Sequence, residues 1–270
     1  VDLFEPFAID PDSGSDGGTT ECTVGQKECV GNRPRACVDG RWQAPTQCTD
    51  DKPLCAGGDC ASPPSCATLL GPCGTSDPRN CCNAPIAEGA TFNRYNRAAR
   101  PATVSSVRVD RYEVTVARFR AFVAAALGTA ANPPKAGAGA HPKVPGSGWQ
   151  VAFNSSLLPT TADLSGALTS CAGFPNATYA PAGVIASNNK PINCVSWFEA
   201  EAFCIWDGGR LPTVAELELA TRGGTEQRLF PWGPGPLDAT RLVYCASNPN
   251  ACTTPDGGSI PAVGSQPLGA

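Results

Sequence analysis

The chain has 270 residues, 20 Lys and Arg against 24 Asp and Glu, a net charge of −4, and 15 cysteines without a single methionine. That length holds one sizeable core and a small extra module, the charge gives no footing for nucleic acid, and no apolar run approaches a membrane span. Ten cysteines between Cys22 and Cys82 point to a disulfide scaffold in an oxidising compartment, hence to an exported protein.

Zinc is the rival use of such cysteines, but it needs close Cys knuckles, often with histidine. The short gaps here are Cys55-x4-Cys60 and the adjacent Cys81-Cys82, and the only histidine, His141, is remote. A chain without methionine is expected to be a processed product or a fragment. Val1–Glu21 lacks the basic start and apolar block of a signal peptide.

Residues 1–21 carry six acidic residues and no Lys or Arg, and read as a flexible acidic linker around Asp12-Ser13-Gly14-Ser15-Asp16. Residues 22–82 form the cysteine-rich disulfide module, in which bridges replace a core. Trp42 is expected to pack on a disulfide. Cys22-x6-Cys29 is echoed by Cys66-x6-Cys73, each with Pro-Arg at the same offset, which suggests related loops.

Residues 83–270 form the second domain. Ala90-Thr91-Phe92-Asn93 and the run from Ser105 to Val109 read as strands. Thr115 caps a helix through about Leu127, with Val116, Phe119, Phe122, Val123 and Ala126 on one face. Residues 128–148 read as a surface loop and 149–192 as irregular backbone packed by aromatics. His141 has no partner by spacing and reads as an exposed loop residue. Seven arginines (94, 97, 100, 108, 111, 118 and 120) offer an anionic-ligand patch or, as the favoured reading, a solvated face.

Two capping boxes follow, Ser196 with Glu199 and Thr213 with Glu216, each opening an amphipathic helix. Asp207-Gly208-Gly209-Arg210-Leu211-Pro212 turns the chain between them, and Gly223-Gly224 ends the second. Residues 233–270 read as irregular.

Val195-Ser196-Trp197, Ala202-Phe203-Cys204-Ile205-Trp206, Arg210-Leu211-Pro212-Thr213, Ala220-Thr221-Arg222-Gly223-Gly224 and Phe230-Pro231-Trp232-Gly233 resemble the formylglycine-generating enzyme (sulfatase-modifying factor) family. The stretch from Val107 to Thr115 agrees. Val214 and Leu217 depart, standing where the family usually has an acidic residue and a tryptophan. The resemblance implies an α+β fold, a formylglycine-generating-enzyme-type, C-type-lectin-like domain with low regular secondary structure.

It also implies chemistry. Family members oxidise a peptidyl cysteine of a sulfatase to formylglycine with O2, using copper held by two thiolates, a soft pairing that suits Cu(I). The family's tryptophan-rich motifs and active cysteine pair do not occur here, so the copper ligands are absent and the domain is expected to be C-terminally incomplete, partly stable alone and inactive alone. Cys204 is expected to bridge to that missing part. Cys245 and Cys252 are plausible mutual partners by their short spacer, and Cys171 with Cys194 a second pair. Calcium is possible, with Asp238, Asn248 and Asp256 as oxygen ligands. Non-haem iron chemistry needs several histidines and is disfavoured. The expected partner is a sulfatase-like polypeptide substrate; the alternative is a non-catalytic lectin-like protein that binds a cell-surface ligand. The Ala, Gly, Pro and Arg richness fits a bacterial source.

Overall fold

The computed structural model describes residues 21–67, 69, 73, 81–173, 177–180, 187–237, 240–243 and 260–266. Its cysteine-rich part is built from small hairpins. β1 (Lys27–Val30), β2 (Arg33–Val38) and β3 (Arg41–Trp42) form an antiparallel meander, and β4 (Leu54–Ala56) pairs with β5 (Asp59–Ala61). Turn chemistry sets these registers. Asp39-Gly40 and Gly57-Gly58 each place two residues at positive φ between directly paired flanks, the geometry that a twisted two-residue hairpin requires.

Covalent bonds then do what a core would do. Cys22–Cys37 ties the segment before β1 to β2, Cys29–Cys55 ties the two sheets together, and Cys48–Cys60 ties the segment before β4 to β5. Trp42 pairs with the bridged Cys37 in the strand register, and the Arg35 guanidinium covers its ring at 4.7 Å. The echoed spacing does not repeat as connectivity. Cys22 pairs with Cys37, whereas Cys66 pairs with Cys82 and Cys73 with Cys81.

The rest of the chain is α+β with little regular structure. β6 (Ile86–Ala87) pairs with β9 (Val107–Arg108), and β7 (Ala90–Asn93) with β8 (Pro101–Val104). Among the described residues four α-helices follow: α1 (Val116–Ala124), α2 (Thr161–Ser170), α3 (Trp197–Trp206) and α4 (Val214–Arg222). All four N-caps are made by Ser or Thr side chains, and three close a full capping box.

α1 buries Val116, Phe119, Phe122 and Val123, as its periodicity requires. Ala126 does not join that face. The helix ends at Ala124, Ala126 takes φ 55°, and Gly128 at φ 67° sits so close to the Phe122 ring that no Cβ fits. Phe203 of α3 stacks on Phe119 at 5.3 Å and meets Phe122 edge-on at 5.7 Å, which locks α1 to α3.

The reading of 149–192 as wholly irregular needs correction. α2 lies inside it, opened by the reciprocal Thr160–Asp163 box and anchored by Leu164 and Leu168, one helical turn apart and fully buried. Cys171–Cys194 clamps its end, the pairing anticipated from sequence.

Candidate functional site

The two capped helices meet at an elbow that concentrates charge. Arg210 in the turn forks onto Glu216 at the start of α4, with Nη1 at 2.8 Å and Nη2 at 2.5 Å from its two oxygens. Glu216 also accepts the backbone N–H of Thr213 at 2.7 Å. Burial pushes its carboxyl up, but the Arg210 and Thr213 bonds outweigh that and hold it at about 2. Glu201 of α3 accepts from the Leu211 N–H at 2.9 Å, yet burial keeps its pKa raised.

His141 joins this cluster, contrary to its reading as an exposed loop residue. Its Nε2 lies 3.3 Å from Glu216, with its side chain 18% exposed. The 128–148 loop therefore folds over the elbow, and Lys143 fastens it further through a 2.6 Å bond to Ser105.

Asp207 ends α3. A carboxylate at a helix C-terminus opposes the helix dipole, so its place depends on partners. Ser65 donates both its N–H and its Oγ to Asp207, each at 2.8 Å, and Arg118 Nη2 donates at 2.6 Å. Arg118, only 1% exposed, also donates to Ser65 Oγ, to the Cys81 carbonyl and to Asp110 Oδ2 at 2.7 Å. Burial alone would lower its pKa; the two carboxylates raise it instead, so it stays charged.

The seven arginines are thus not one solvated face. Arg118 and Arg108 are buried, and Arg108 reaches the carbonyls of Cys48 and Ala84 and the Asp50 carboxylate. Both point from the second domain into the cysteine-rich segment. Nothing in the local sequence announces this, because the partners lie far along the chain.

A cavity of about 320 Å³ opens beside the Arg118 cluster, walled by Val107, Val109, Val114, Phe203, Leu211 and Pro212 and by the thiol of Cys204. Cys204 is the free cysteine among the described residues. Burial raises its pKa well above the ordinary thiol range, and Asp110, Glu201 and Asp207 add to this, so it is a neutral thiol and not a nucleophilic thiolate. The copper implied by the resemblance does not fit here. It asks for two thiolates, and among the described residues no cluster of His, Cys, Asp or Glu is placed to hold a metal.

A larger cleft of about 900 Å³ shares Val109, Asp110, Tyr112 and Glu113 with that cavity. Ile86, Leu217, Trp232 and Val243 supply apolar wall, Arg111, Arg228 and Arg241 supply positive charge, and Ile260–Gln266 closes one side. Leu217, a departure from the family pattern, is 47% exposed and forms part of this wall.

Among the residues singled out from sequence, Cys171, Cys194 and Cys204 are placed as above. Asp238, Asn248, Asp256, Cys245 and Cys252 lie outside the described residues. Among the described residues no helix is long and apolar enough to cross a membrane.

Several known proteins are similar to this chain in sequence. A formylglycine-generating enzyme of Thermomonospora curvata is 33% identical over 142 residues, covering 50% of this chain and 43% of that protein. The mouse formylglycine-generating enzyme is 52% identical over 50 residues, 18% of this chain and 13% of its own length. A bovine protein named inactive C-alpha-formylglycine-generating enzyme 2 is 51% identical over 43 residues, 16% of this chain and 14% of its own. The chain thus spans less than half the length of these relatives. The family model for the sulfatase-modifying factor enzyme 1-like domain, a C-type-lectin-like fold, matches residues 83–250, and the chain belongs to that family.

Proposed function

We propose that this chain is the polypeptide-holding part of an exported formylglycine-generating (sulfatase-modifying) protein, and that the 900 Å³ cleft receives an extended segment of a sulfatase-like substrate. The observation that carries the reading is the cleft itself: an apolar floor with arginines along it, built on the elbow that carries the family motifs. Six disulfides among the described residues support an oxidising compartment. In the whole protein the reaction would be oxygen-dependent oxidation of a peptidyl thiol to an aldehyde. Cys204, the free cysteine among the described residues, is held as a neutral thiol by its surroundings and is assigned no catalytic part. This chain alone is therefore assigned binding and positioning.

The test is titration of the full chain with a synthetic cysteine-containing sulfatase peptide, alongside Leu217→Glu. Saturable binding that the variant weakens supports the reading. Binding unaffected by Leu217→Glu, or none at all, overturns the placement in the cleft.

A second reading, a non-catalytic lectin-like protein for a cell-surface ligand, is favoured by one observation. The matched motifs are shared as closely with the bovine protein named inactive as with the mouse enzyme, so they specify scaffold and not chemistry. Mass spectrometry of the peptide after incubation with the entire gene product separates the two, by aldehyde formation or its absence. Calcium held by Asp238, Asn248 and Asp256 is part of the same proposal, tested by a fall in unfolding temperature on chelation.

A further inference from the structure

We propose that the turn joining β7 to β8 is a docking surface for the acidic N-terminal segment of the same chain, residues 1–20. The turn spans residues 94–100 and carries three of the seven arginines, Arg94, Arg97 and Arg100. Arg97 and Arg100 are exposed, as are Ala98 and Ala99 between them. Among the described residues none of these three arginines enters an ion pair, whereas Arg222 and Arg228 nearby are matched by Glu218 and Glu226. The turn contributes no residue to the 900 Å³ cleft, so this surface is separate from the polypeptide site.

The backbone of the turn is held in one shape. Tyr95 and Asn96 both take positive φ, at 56° and 55°, a conformation that a bulky residue keeps only where its surroundings fix it. The fixing contacts come from α4 and the residues just after it. Glu218 accepts the Tyr95 N–H at 2.6 Å, the Gln227 side chain accepts the Asn93 N–H at 2.7 Å, and Asn96 Nδ2 donates to the Gln227 carbonyl at 3.2 Å. Tyr95 is left 51% exposed, with the Arg100 guanidinium 5.9 Å from its ring centre. An aromatic face and unmatched guanidinium groups therefore stand together on a fixed support.

Charge and reach select the occupant. Residues 1–20 lie outside the described residues. Their sequence holds Asp2, Glu5, Asp10, Asp12 and Asp16 without Lys or Arg, and sets Phe4 and Phe7 among them. Carboxylates match guanidinium groups, and phenyl rings match an exposed tyrosine and a guanidinium face. Glu21, the first described residue, bridges Arg41 and so fixes the root of the tether. A tether of this length extends up to about 66 Å, beyond the span of a protein of this size, whose radius of gyration is about 18 Å. Exposed ion pairs are individually weak. A tethered partner, however, has an effective concentration on the order of millimolar, so contacts of millimolar strength suffice.

The test uses the full chain with its disulfides intact. A nitroxide is attached to the α-amine of Val1, and amide relaxation is read by NMR. The expected result is enhanced relaxation centred on residues 94–100 at about 50 mM salt and its loss at about 0.5 M. Arg97→Gln combined with Arg100→Gln, both at exposed positions, should weaken docking about tenfold and shrink the enhancement with it. A synthetic peptide of residues 1–16, added in excess, should displace the labelled segment, and the same peptide with Asn and Gln in place of its acidic residues should not. Enhancement spread evenly over the surface overturns the proposal, as does enhancement centred on the cleft walls. Enhancement that survives the double variant or high salt overturns it too, as does displacement by the uncharged peptide. Sulfatase-peptide titration into the cleft is scored separately, so failure of one surface leaves the other standing.

Discussion

Nη2 of Arg118 donates to Oδ2 of Asp207 across 2.6 Å, and both side chains are almost wholly buried. Removing one partner of such a pair strands the other. Arg118→Met should destabilise the protein by about 3–5 kcal/mol, because Asp207 and Asp110 lose their shared cation. Denaturant unfolding under oxidising conditions measures this. A loss below about 1 kcal/mol would mean that the cluster contributes little to stability.

Asp110 should behave in the opposite way. Its folded pKa is raised, so the folded state binds its proton more tightly than the unfolded chain does. The resulting stability is present below the ordinary carboxylate pKa and lost as pH rises through the folded value. Asp110→Asn should then be neutral or stabilising at pH 7, and Asp207→Asn destabilising. Paired thermal scans decide it, and equal losses from both variants would count against the unequal roles.

Glu216 carries the reverse linkage. With a folded pKa of about 2, below its unfolded value, it contributes stability above the unfolded value that is lost as pH falls through about 2. Glu216→Gln should cost on the order of 3 kcal/mol at pH 7. The gap to wild type should close in strong acid. A gap constant with pH would place the effect in packing instead of charge.

The Cys204 thiol, half-buried and neutral, should react slowly with iodoacetamide at pH 8 in the folded protein and quickly once it is unfolded. Cys204→Ser should leave the fold intact. Rapid native-state alkylation at Cys204, located by peptide mapping, would contradict a neutral thiol.

Cys66–Cys82 closes a loop of 16 residues beside Ser65. Replacing both cysteines by Ser should cost about 3 kcal/mol by the chain-entropy estimate. The loss should be smaller in an Arg118→Met background, since the two share the Ser65 contact. A double-mutant cycle reads this coupling, and strict additivity would show that the bridge and the ion cluster act independently.

How far the sequence foretold this structure depends on the range of each interaction. The caps at Ser196 and Thr213 act over three residues and were legible. Strands β7 and α1 were found from alternation and period. α2 was missed because only Leu164 and Leu168 mark its inner face, although Thr160 and Asp163 carried the cap signal. The hairpin turns at Asp39-Gly40 and Gly57-Gly58 were equally available as turn signals. The candidate site was much less legible. Arg118 meets Asp207 across 89 residues of sequence, and His141 meets a glutamate on a distant helix. No local rule distinguishes such an arginine or histidine from a solvated one. Cys171 with Cys194 is the second pairing that the sequence offers, without a spacing rule behind it, whereas Cys204 owes its neutrality to surroundings supplied by residues far apart in sequence.

The direction in which Arg108 and Arg118 point has a consequence for how the two parts of the chain can be separated. Arg108 ends on the Cys48 carbonyl and Arg118 on the Cys81 carbonyl, main-chain atoms whose position depends on the backbone course and not on residue identity. Without the cysteine-rich segment Arg118 would keep Asp110 and Asp207, and Arg108 would keep the Ala84 carbonyl, but both guanidinium groups would lose buried acceptors. The cysteine-rich segment therefore completes the polar interior of the domain behind it, and excising it would leave donors without partners in a buried place.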